Sequence, residues 1–284
     1  MRRCMRFPVF LFKNSDGTAS MKRFFVLLLL VLSGLNLFAV DVNSPAPLVV
    51  ATYNIHHGEG ADSQIDLERI ARVIQALKPH IVCLQEVDRG LPRTNNIDMP
   101  AVFAELLDMT VIFEPNYRFA GGDYGNATFT SLPIRASRNL TLPNPTNAEP
   151  RGCLIVTVEW HGRQVDVMNT HLGLNGQERL AQAEAIVAEF GDNPIILAGD
   201  MNEHVTAPGM QRITWQLIDT ITKTDNTIRG TVPVNNPMRR IDYIFVSSAF
   251  ETLSSEIIYN DATRVASDHL PYKASLRLKP GENE

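Results

Sequence analysis

The sequence predicts an α/β fold in which two mixed β-sheets pack face to face and helices cover their outer surfaces. Short apolar runs bounded by turn residues alternate with segments whose apolar residues recur at helical spacing. Other runs follow one another across Gly- or Pro-containing turns, a pattern typical of antiparallel hairpins. Buried strands that combine helical connections with hairpins favour packed sheets flanked by helices.

The first half of the chain contains two apolar strands and two helices. Apolar residues recur every three or four positions between Ile70 and Leu77, and Pro79 ends that helix because its ring cannot continue the hydrogen-bonding pattern. The predicted elements are a strand at 48–53, a helix at 70–77, a strand at 80–86, a polar loop at 88–98 and a helix at 101–107.

The second half begins with short strands separated by Gly and Pro and then returns to the alternation of helix and strand. A long amphipathic helix ends at Gly191, and the buried strand after it ends just before Asp200. The predicted elements are strands at 111–113, 124–131, 135–142, 153–160 and 164–170, a helix at 176–190, and strands at 194–199, 241–246, 256–259 and 270–278.

Charge is distributed unevenly along the 284 residues. The chain carries 26 basic and 31 acidic side chains, but residues 1–39 hold six of the basic ones and one acidic one, so the remaining 245 residues have a net charge of −10. Affinity for nucleic acid through a basic surface comes from neutralising phosphates, so this acidic body argues against such a protein. With 44% apolar and 20% charged residues, the composition predicts a globular protein, and 48–279 is expected to form one domain.

Residues 1–39 have the pattern of an upstream leader and a secretory signal peptide. Met21 is the expected start, because a basic pair and nine consecutive apolar residues follow it and the small residue Ala39 provides a cleavage site. We therefore expect an exported protein with a short polar lead at 40–47. The alternative is an uncleaved membrane anchor, but the apolar stretch is short and interrupted for a span of about 20 residues.

Two of the three cysteines fall within apolar runs of the predicted domain. Cys83 and Cys153 each lie inside a predicted strand, where a thiol behaves as a small apolar side chain. Export would allow a disulfide, but we expect two buried thiols on separate strands. Neither cysteine has the spacing of a metal site.

Polar residues follow the apolar strands at the points where these are predicted to end. Glu86, His171 and Asp200 each end an apolar strand, and Asn54 and Asp268 flank two others. Strand ends that converge on one edge of a sheet are where α/β proteins place their sites. The sequence therefore predicts a functional site built from five strand ends.

Six short motifs in a fixed order resemble the signature motifs of the endonuclease/exonuclease/phosphatase superfamily, which has the fold of deoxyribonuclease I. The motifs are TYNI at 52–55, LQEVD at 84–88, NTHL at 169–172, AGDMN at 198–202, RIDYI at 240–244 and SDHLP at 267–271. They extend over nearly the whole predicted domain. The resemblance implies a four-layer sandwich, with two packed mixed β-sheets flanked by helices.

The resemblance also implies a metal site. Glu86 corresponds to the main metal ligand of the family, with Asn54 beside it and Asp268 as a further contributor. Mg²⁺ suits this set because it is a hard cation that takes oxygen ligands and keeps several waters, and Mn²⁺ is a plausible substitute.

Five further residues correspond to the catalytic positions of the family. Asp200 matches the general base for the attacking water, and Asn202 matches its aligning partner. Asp242 and His269 match a carboxylate–imidazole pair, in which the carboxylate holds the tautomer of the ring that contacts the scissile phosphate. His171 matches the second position that contacts the phosphate.

Three residues outside these motifs are candidates for substrate binding. Arg93 and Arg151 could hold a phosphate through two parallel hydrogen bonds, or each could form an ion pair that holds its own loop. Asn126 belongs to a short motif, YGNA at 124–127, that resembles one common in exported bacterial members of the family. His56 follows Asn54 closely enough to line the site, as does His57.

The expected function is that of an exported phosphoesterase that depends on a divalent metal and hydrolyses a phosphodiester or phosphomonoester by in-line attack of water. The alternatives are an extracellular nuclease, a phospholipase C-like enzyme at a membrane surface, and a binding protein that has lost turnover. The acidic body disfavours nucleic acid as the partner, and all the catalytic positions are filled, which disfavours the binding protein. The partner is expected to be a phosphate ester, and the protein a monomer.

Overall fold

The computed structural model describes residues 46–223 and 229–280. The predicted leader at 1–39 and residues 40–45 of the polar lead lie outside the described residues. The bounds of the predicted domain at 48–279 stay a prediction. Within the described ranges, no helix is both long enough and apolar enough to cross a membrane.

The described residues form twelve strands and five α-helices. The strands are β1 (Leu48–Asn54), β2 (Ile81–Arg89), β3 (Thr110–Phe119), β4 (Gly122–Thr130), β5 (Ile134–Thr141), β6 (Gly152–Trp160), β7 (Arg163–His171), β8 (Ile195–Asp200), β9 (Ile218–Asp219), β10 (Asp242–Val246), β11 (Phe250–Ile257) and β12 (Tyr272–Leu278). The helices are α1 (Leu67–Leu77), α2 (Met99–Leu107), α3 (Gly176–Val187), α4 (Pro208–Thr214) and α5 (Thr263–Ala266).

The strands form two six-stranded sheets, and both are mixed. The order in the first sheet is β11-β12-β1-β2-β4-β3, and in the second it is β5-β6-β7-β8-β10-β9. Each sheet contains one central parallel pair, β1 with β2 and β7 with β8, and its other neighbours are antiparallel. The parallel pairs matter for function because they carry Asn54, Glu86, His171 and Asp200 of the site described below.

Alternation along the strands produces the four layers. In β2, Ile81 and Cys83 belong to the apolar core between the sheets, whereas Val82 and Leu84 pack against the core that contains residues of α1 and α2. A third apolar core joins the second sheet to α3 and α4. The predicted fold, two packed mixed sheets with helices outside, is confirmed.

Both predicted core cysteines are free and fully buried. Cys83 faces the core between the sheets, whereas Cys153 packs in the core on the helical side of the second sheet. Burial raises the pKa of both thiols well above its usual value. The prediction of two buried thiols on separate strands is confirmed.

Several predicted boundaries were wrong. The strand predicted at 80–86 continues to Arg89, because it passes through a bulge between Leu84 and Val87 where the predicted end had been placed. The strand predicted at 111–113 extends over ten residues despite Pro115, which is tolerated because β3 lies at the edge of its sheet. The strand predicted at 256–259 begins six residues earlier and is β11, at Phe250–Ile257.

Asp200 was predicted to follow its strand and is its last residue. The sequence analysis did not predict the short elements β9, α4 and α5, since each is too short to show a period.

A buried amide network joins the two sheets directly below the strand ends. Asn169 of β7 donates from Nδ2 to the main-chain oxygens of Leu84 (3.1 Å) and Ala127 (2.9 Å) in the first sheet. Its Oδ1 accepts from Nε2 of Gln85 at 2.8 Å. Asn126 of β4 donates in the opposite direction, to the oxygen of Asn169 at 3.3 Å. The side chains thereby connect strands that share no main-chain ladder.

Replacing Asn169 by alanine is expected to destabilise the fold by about 2–4 kcal/mol. The substitution removes three buried hydrogen bonds of the Asn169 side chain, to the oxygens of Leu84 and Ala127 and from the amide of Gln85, and a lost bond at a buried site costs about 1–3 kcal/mol before relaxation. Urea unfolding followed by circular dichroism measures the change. The matched control is Asn236→Ala at an exposed position, and equal stability of the two variants would contradict the role of the network.

Candidate active site

Three site residues lie side by side across the second sheet. His171, the last residue of β7, pairs in register with Asp200, the last residue of β8, and Asp200 pairs with Asp242, the first residue of β10. Gly199 allows β7 and β8 to approach, because its φ is +147° and a Cβ atom there would lie 1.9 Å from the oxygen of Thr170. Asp200 is therefore held between an imidazole and a second carboxylate.

The first sheet contributes Asn54 and Glu86 to the same place. Asn54 ends β1, and Glu86 lies in the bulge of β2 with a φ of 59°, which turns its side chain out of the regular strand alternation. The amide nitrogen of Asn54 donates to Oε1 of Glu86 and to Oδ2 of Asp200, both at 3.0 Å. One buried amide thus fixes the spacing of two carboxylates from different sheets.

His269 and Asp242 form a buried pair. Nδ1 of His269 lies 2.9 Å from Oδ2 of Asp242, and its Nε2 lies 3.7 Å from Oδ2 of Asp200. Asp268, one residue earlier, is exposed, and Ser267 between this loop and β1 donates to the oxygen of Asn54 at 2.8 Å. The serine therefore ties the loop of His269 to the end of β1.

The pKa values of Asp200 and His269 are both raised above their usual values. Burial raises the pKa of Asp200, and the neighbouring carboxylate of Asp242 raises it further, against the opposing effects of His269 and the Asn54 amide. Burial acts to lower the pKa of His269, but the carboxylates of Asp242 and Asp200 outweigh it and the pKa is raised.

Glu86 is held in its charged form. Burial acts to raise its pKa, but the neighbouring His57 and the hydrogen bond from the Asn54 amide lower it more, so the pKa lies well below its usual range. Nδ1 of His57 lies 3.9 Å from Oε2 of Glu86, which is beyond hydrogen-bonding distance, and the ring lines the same recess as Glu86. His57 therefore belongs to the site, as the sequence analysis had considered for it and for His56.

These side chains surround an open recess of about 350 Å³. Its lining consists of His56, His57, Glu86, Arg93, Phe119, Tyr124, Glu149, Arg151, His171, Leu174, Asp200, Asn202, Asp268 and His269. Of the predicted site residues, Asn54, Asp242 and Asn126 do not line it. A different recess of about 310 Å³, at the amino end of β8, includes Asp192 and Ser247 but is lined by no histidine.

The recess is lined by Asn202, Arg93 and Arg151 but not by Asn126. The main-chain nitrogen of Asn202 donates to Oδ1 of Asp200 at 2.9 Å, and its side chain lines the recess. Arg93 and Arg151 also line it, and both form ion pairs, with Asp88 at 2.7 Å and with Glu149 at 2.8 Å.

Asn126 is buried below the recess, where its amide donates to the oxygen of Gly152 at 3.1 Å. Both of its described donor contacts are to main-chain oxygens. Its role as a substrate contact, like the catalytic and metal-binding roles of the other predicted residues, stays a prediction.

The sequence analysis missed several residues that shape the site. Glu149 was not singled out, and Gln85 and Asn169 were named only as parts of motifs. The signal for Gln85 and Asn169 was a polar residue inside an apolar strand, which by itself does not show what it contacts. Phe119 and Leu174 had no signal, because isolated apolar residues in loops and strand ends are common.

Two groups of side chains could hold a divalent cation. Glu86 and Asp268 both line the recess, and carboxylate oxygens suit hard cations. Asp200, Asp242 and His269 form a second, buried group whose ligand atoms lie within 4.8 Å of one another. In that group Oδ2 of Asp242 is hydrogen-bonded to His269, whereas its Oδ1 is buried without a partner. The donor chemistry of the site therefore fits a divalent metal ion.

The fold and the site together define a class of protein, the two-sheet α/β sandwich hydrolases that combine carboxylates with two histidines at converging strand ends. The model of the Endonuclease/Exonuclease/phosphatase family matches residues 51–269, and the chain belongs to this family. The resemblance of the six motifs is confirmed. Members of this family are phosphoester hydrolases, which supports an enzymatic activity of that type.

Solved structures agree with this assignment. An endonuclease/exonuclease/phosphatase from Beutenbergia cavernae DSM 12333 is 27% identical, with a TM-score of 0.72, and the match covers 83% of this chain and 72% of that one. A mannosyl-6-phosphatase from Bacteroides thetaiotaomicron VPI-5482 is 21% identical, with a TM-score of 0.68, 81% of this chain and 99% of that one being covered. The human nocturnin catalytic domain with a bound sulfate anion is 20% identical, with a TM-score of 0.65 and coverages of 84% and 95%. A search of curated proteins gives no match.

Proposed function

We propose that this chain is an exported, divalent-metal-dependent phosphoesterase that hydrolyses a small phosphate ester by in-line attack of water. The observation that carries the proposal is the environment of Asp200. Its buried carboxylate, raised in pKa, lies at the wall of the recess within 4 Å of His171 and His269. A carboxylate of this kind is suited to take a proton from water near neutral pH.

The chain's own residues supply the proton transfer and the orientation. Asp200 accepts the proton of the attacking water at Oδ2, while Oδ1 is held by the main-chain nitrogen of Asn202. Asp242 fixes the Nδ1 proton of His269, so Nε2 of that ring is the nitrogen that lines the recess and faces Asp200. His269 then stabilises negative charge on the phosphoryl group as it develops.

Glu86 and Asp268 are the residues that would hold Mg²⁺ or Mn²⁺, and Asn54 orients Glu86 through its amide. A divalent cation bound there supplies Lewis-acid stabilisation of a phosphate oxygen. The second donor group is disfavoured as the resident site, because Asp242 is fully buried and occupied by His269, whereas Glu86 and Asp268 are reached from solvent.

The dimensions of the recess favour a small substrate. About 350 Å³ is the size of a pocket for a small molecule. The guanidinium of Arg93 is held by Asp88 and lies 5.5 Å and 5.3 Å from the ring centroids of Phe119 and Tyr124, which preorganises a cation at one wall. The acidic body disfavours duplex nucleic acid. A sugar phosphate fits these features, and a relative of the same fold carries the name mannosyl-6-phosphatase.

Asp200→Asn is expected to lower kcat by about 10²–10⁴-fold, because the amide cannot accept the proton of the attacking water. Purified protein would be assayed with hexose 6-phosphates, bis-(p-nitrophenyl) phosphate, plasmid DNA and phosphatidyl headgroup substrates, each with Mg²⁺, Mn²⁺ and a chelator. The control is Asp192→Asn at the other end of β8. Preferred cleavage of DNA or of phospholipid would replace the small-substrate assignment by the nuclease or the phospholipase C-like one.

Glu86→Gln is expected to weaken Mn²⁺ binding by about tenfold or more, since it removes a charged oxygen ligand. Isothermal titration calorimetry measures this without any substrate. The matched control is Glu68→Gln, on the exposed face of α1. If Asp242→Asn abolished binding while Glu86→Gln left it unchanged, the ion would belong to the group of Asp200, Asp242 and His269 instead.

A further inference from the structure

The guanidinium of Arg151 makes two contacts through a single nitrogen. Nη1 lies 2.8 Å from Oε1 of Glu149 and 2.9 Å from Nδ1 of His171. A guanidinium has no acceptor, so Arg151 must be the donor in both contacts. Nη1 carries two hydrogens, one for each partner. The lone pair of Nδ1 therefore faces Arg151, and in the neutral ring the proton resides on Nε2.

The Nε2 side of the His171 ring, which carries that proton, faces Asn202. Nε2 of His171 lies 3.0 Å from Nδ2 of Asn202 and 3.5 Å from Oδ2 of Asp200. The same Nδ2 donates to the oxygen of Leu172 at 2.9 Å, which fixes the orientation of the amide. The Nε2–H group of the ring and the second N–H of the amide are thus two donors at the rim of the recess, and neither can accept from the other.

We propose that Arg151, anchored by Glu149, is a positioning residue that holds His171 as the neutral Nε2–H tautomer, so that the ring and the amide of Asn202 present two adjacent donors to one phosphate oxygen of the substrate. The tautomer stands on the contacts of Arg151 alone. The use of the two donors rests on the proposed function. The two N–H groups repel each other when no acceptor is present. A phosphate oxygen between them accepts a hydrogen bond from both, so its binding at that point is favoured.

The two histidines of the site consequently have different partners at Nδ1. His269 is paired with the carboxylate of Asp242, which favours a proton on Nδ1, whereas His171 is paired with a cation, which excludes one. Gly152, the residue after Arg151, is anchored through its oxygen by Asn126 and Thr170, both at 3.1 Å. The position of Arg151 therefore depends on Asn126, whose side chain also takes part in the buried network between the sheets.

The first test is the tautomer itself, in the full chain labelled with nitrogen-15 at histidine. The resonances of His171 are assigned by their loss in His171→Gln, and two-bond nitrogen–proton correlations show which nitrogen is protonated. We expect Nε2–H in the unmodified protein at neutral pH, a mixture or a doubly protonated ring in Arg151→Met, and a largely restored Nε2–H form in Arg151→Lys. Arg135→Met, whose arginine pairs with Glu159 at the far end of β6, is the matched control and leaves the spectrum of His171 unchanged.

A proton on Nδ1 of His171 in the unmodified protein, alone or together with one on Nε2, overturns the proposal. This measurement needs no substrate and no variant of Arg151, so it remains decisive if Arg151→Met does not fold. It also separates the two failures, because an inactive protein with the Nε2–H form would contradict the proposed function and not the tautomer.

The second test is a double-mutant cycle on kcat and KM with the phosphate ester that is turned over. Arg151→Met is expected to lower kcat by about 10²-fold with a smaller change in KM, and to cause no further loss in the His171→Gln background. Losses that multiply in the double variant would show that Arg151 acts on the substrate directly. That outcome would overturn its role as a positioning residue.

Discussion

The site depends on the buried amide network between β2 and β7. Burying Gln85 and Asn169 is unfavourable unless their amides are hydrogen-bonded, and here each is paired across the interface of the two sheets. An apolar interface alone tolerates small sliding of one sheet on the other, whereas these bonds are directional. Because Asn54 belongs to one sheet and Asp200 to the other, the 3.0 Å contact between them depends on the register that the network supports.

The surroundings of Asp200 combine basic and acidic side chains. The body of the chain is strongly negative, and one recess brings Arg93, Arg151 and His269 together with the carboxylates of Glu86, Glu149 and Asp268. Local charges in a partly desolvated pocket act more strongly than distant ones screened by salt. The paired charges inside the recess therefore act on its contents more strongly than the net charge of the body does.

The sequence allowed much of this architecture to be predicted, for identifiable physical reasons. Strand periodicity and the order of polar strand ends report local chemistry, so Glu86, His171 and Asp200 were found at converging edges. The bulge at Glu86 was not predictable, because nothing in the residues around it distinguishes a strand that ends from one that continues after an irregularity. Partners such as Asn169 and Leu84 are separated by 85 positions, and their pairing follows only from the packing of two complete sheets.

Strand ends and connecting loops supply different parts of the site. His171, Asp200 and Asp242 lie on rigid neighbouring strands, so their geometry changes little when loops change. The walls of the recess come instead from connecting segments, with Arg93 on the turn after β2 and Leu174, which is 77% exposed, after β7. Residues of this kind can be replaced without loss of the buried network. The strands therefore fix the spacing of His171, Asp200 and Asp242, while the connecting segments shape the walls of the recess around them.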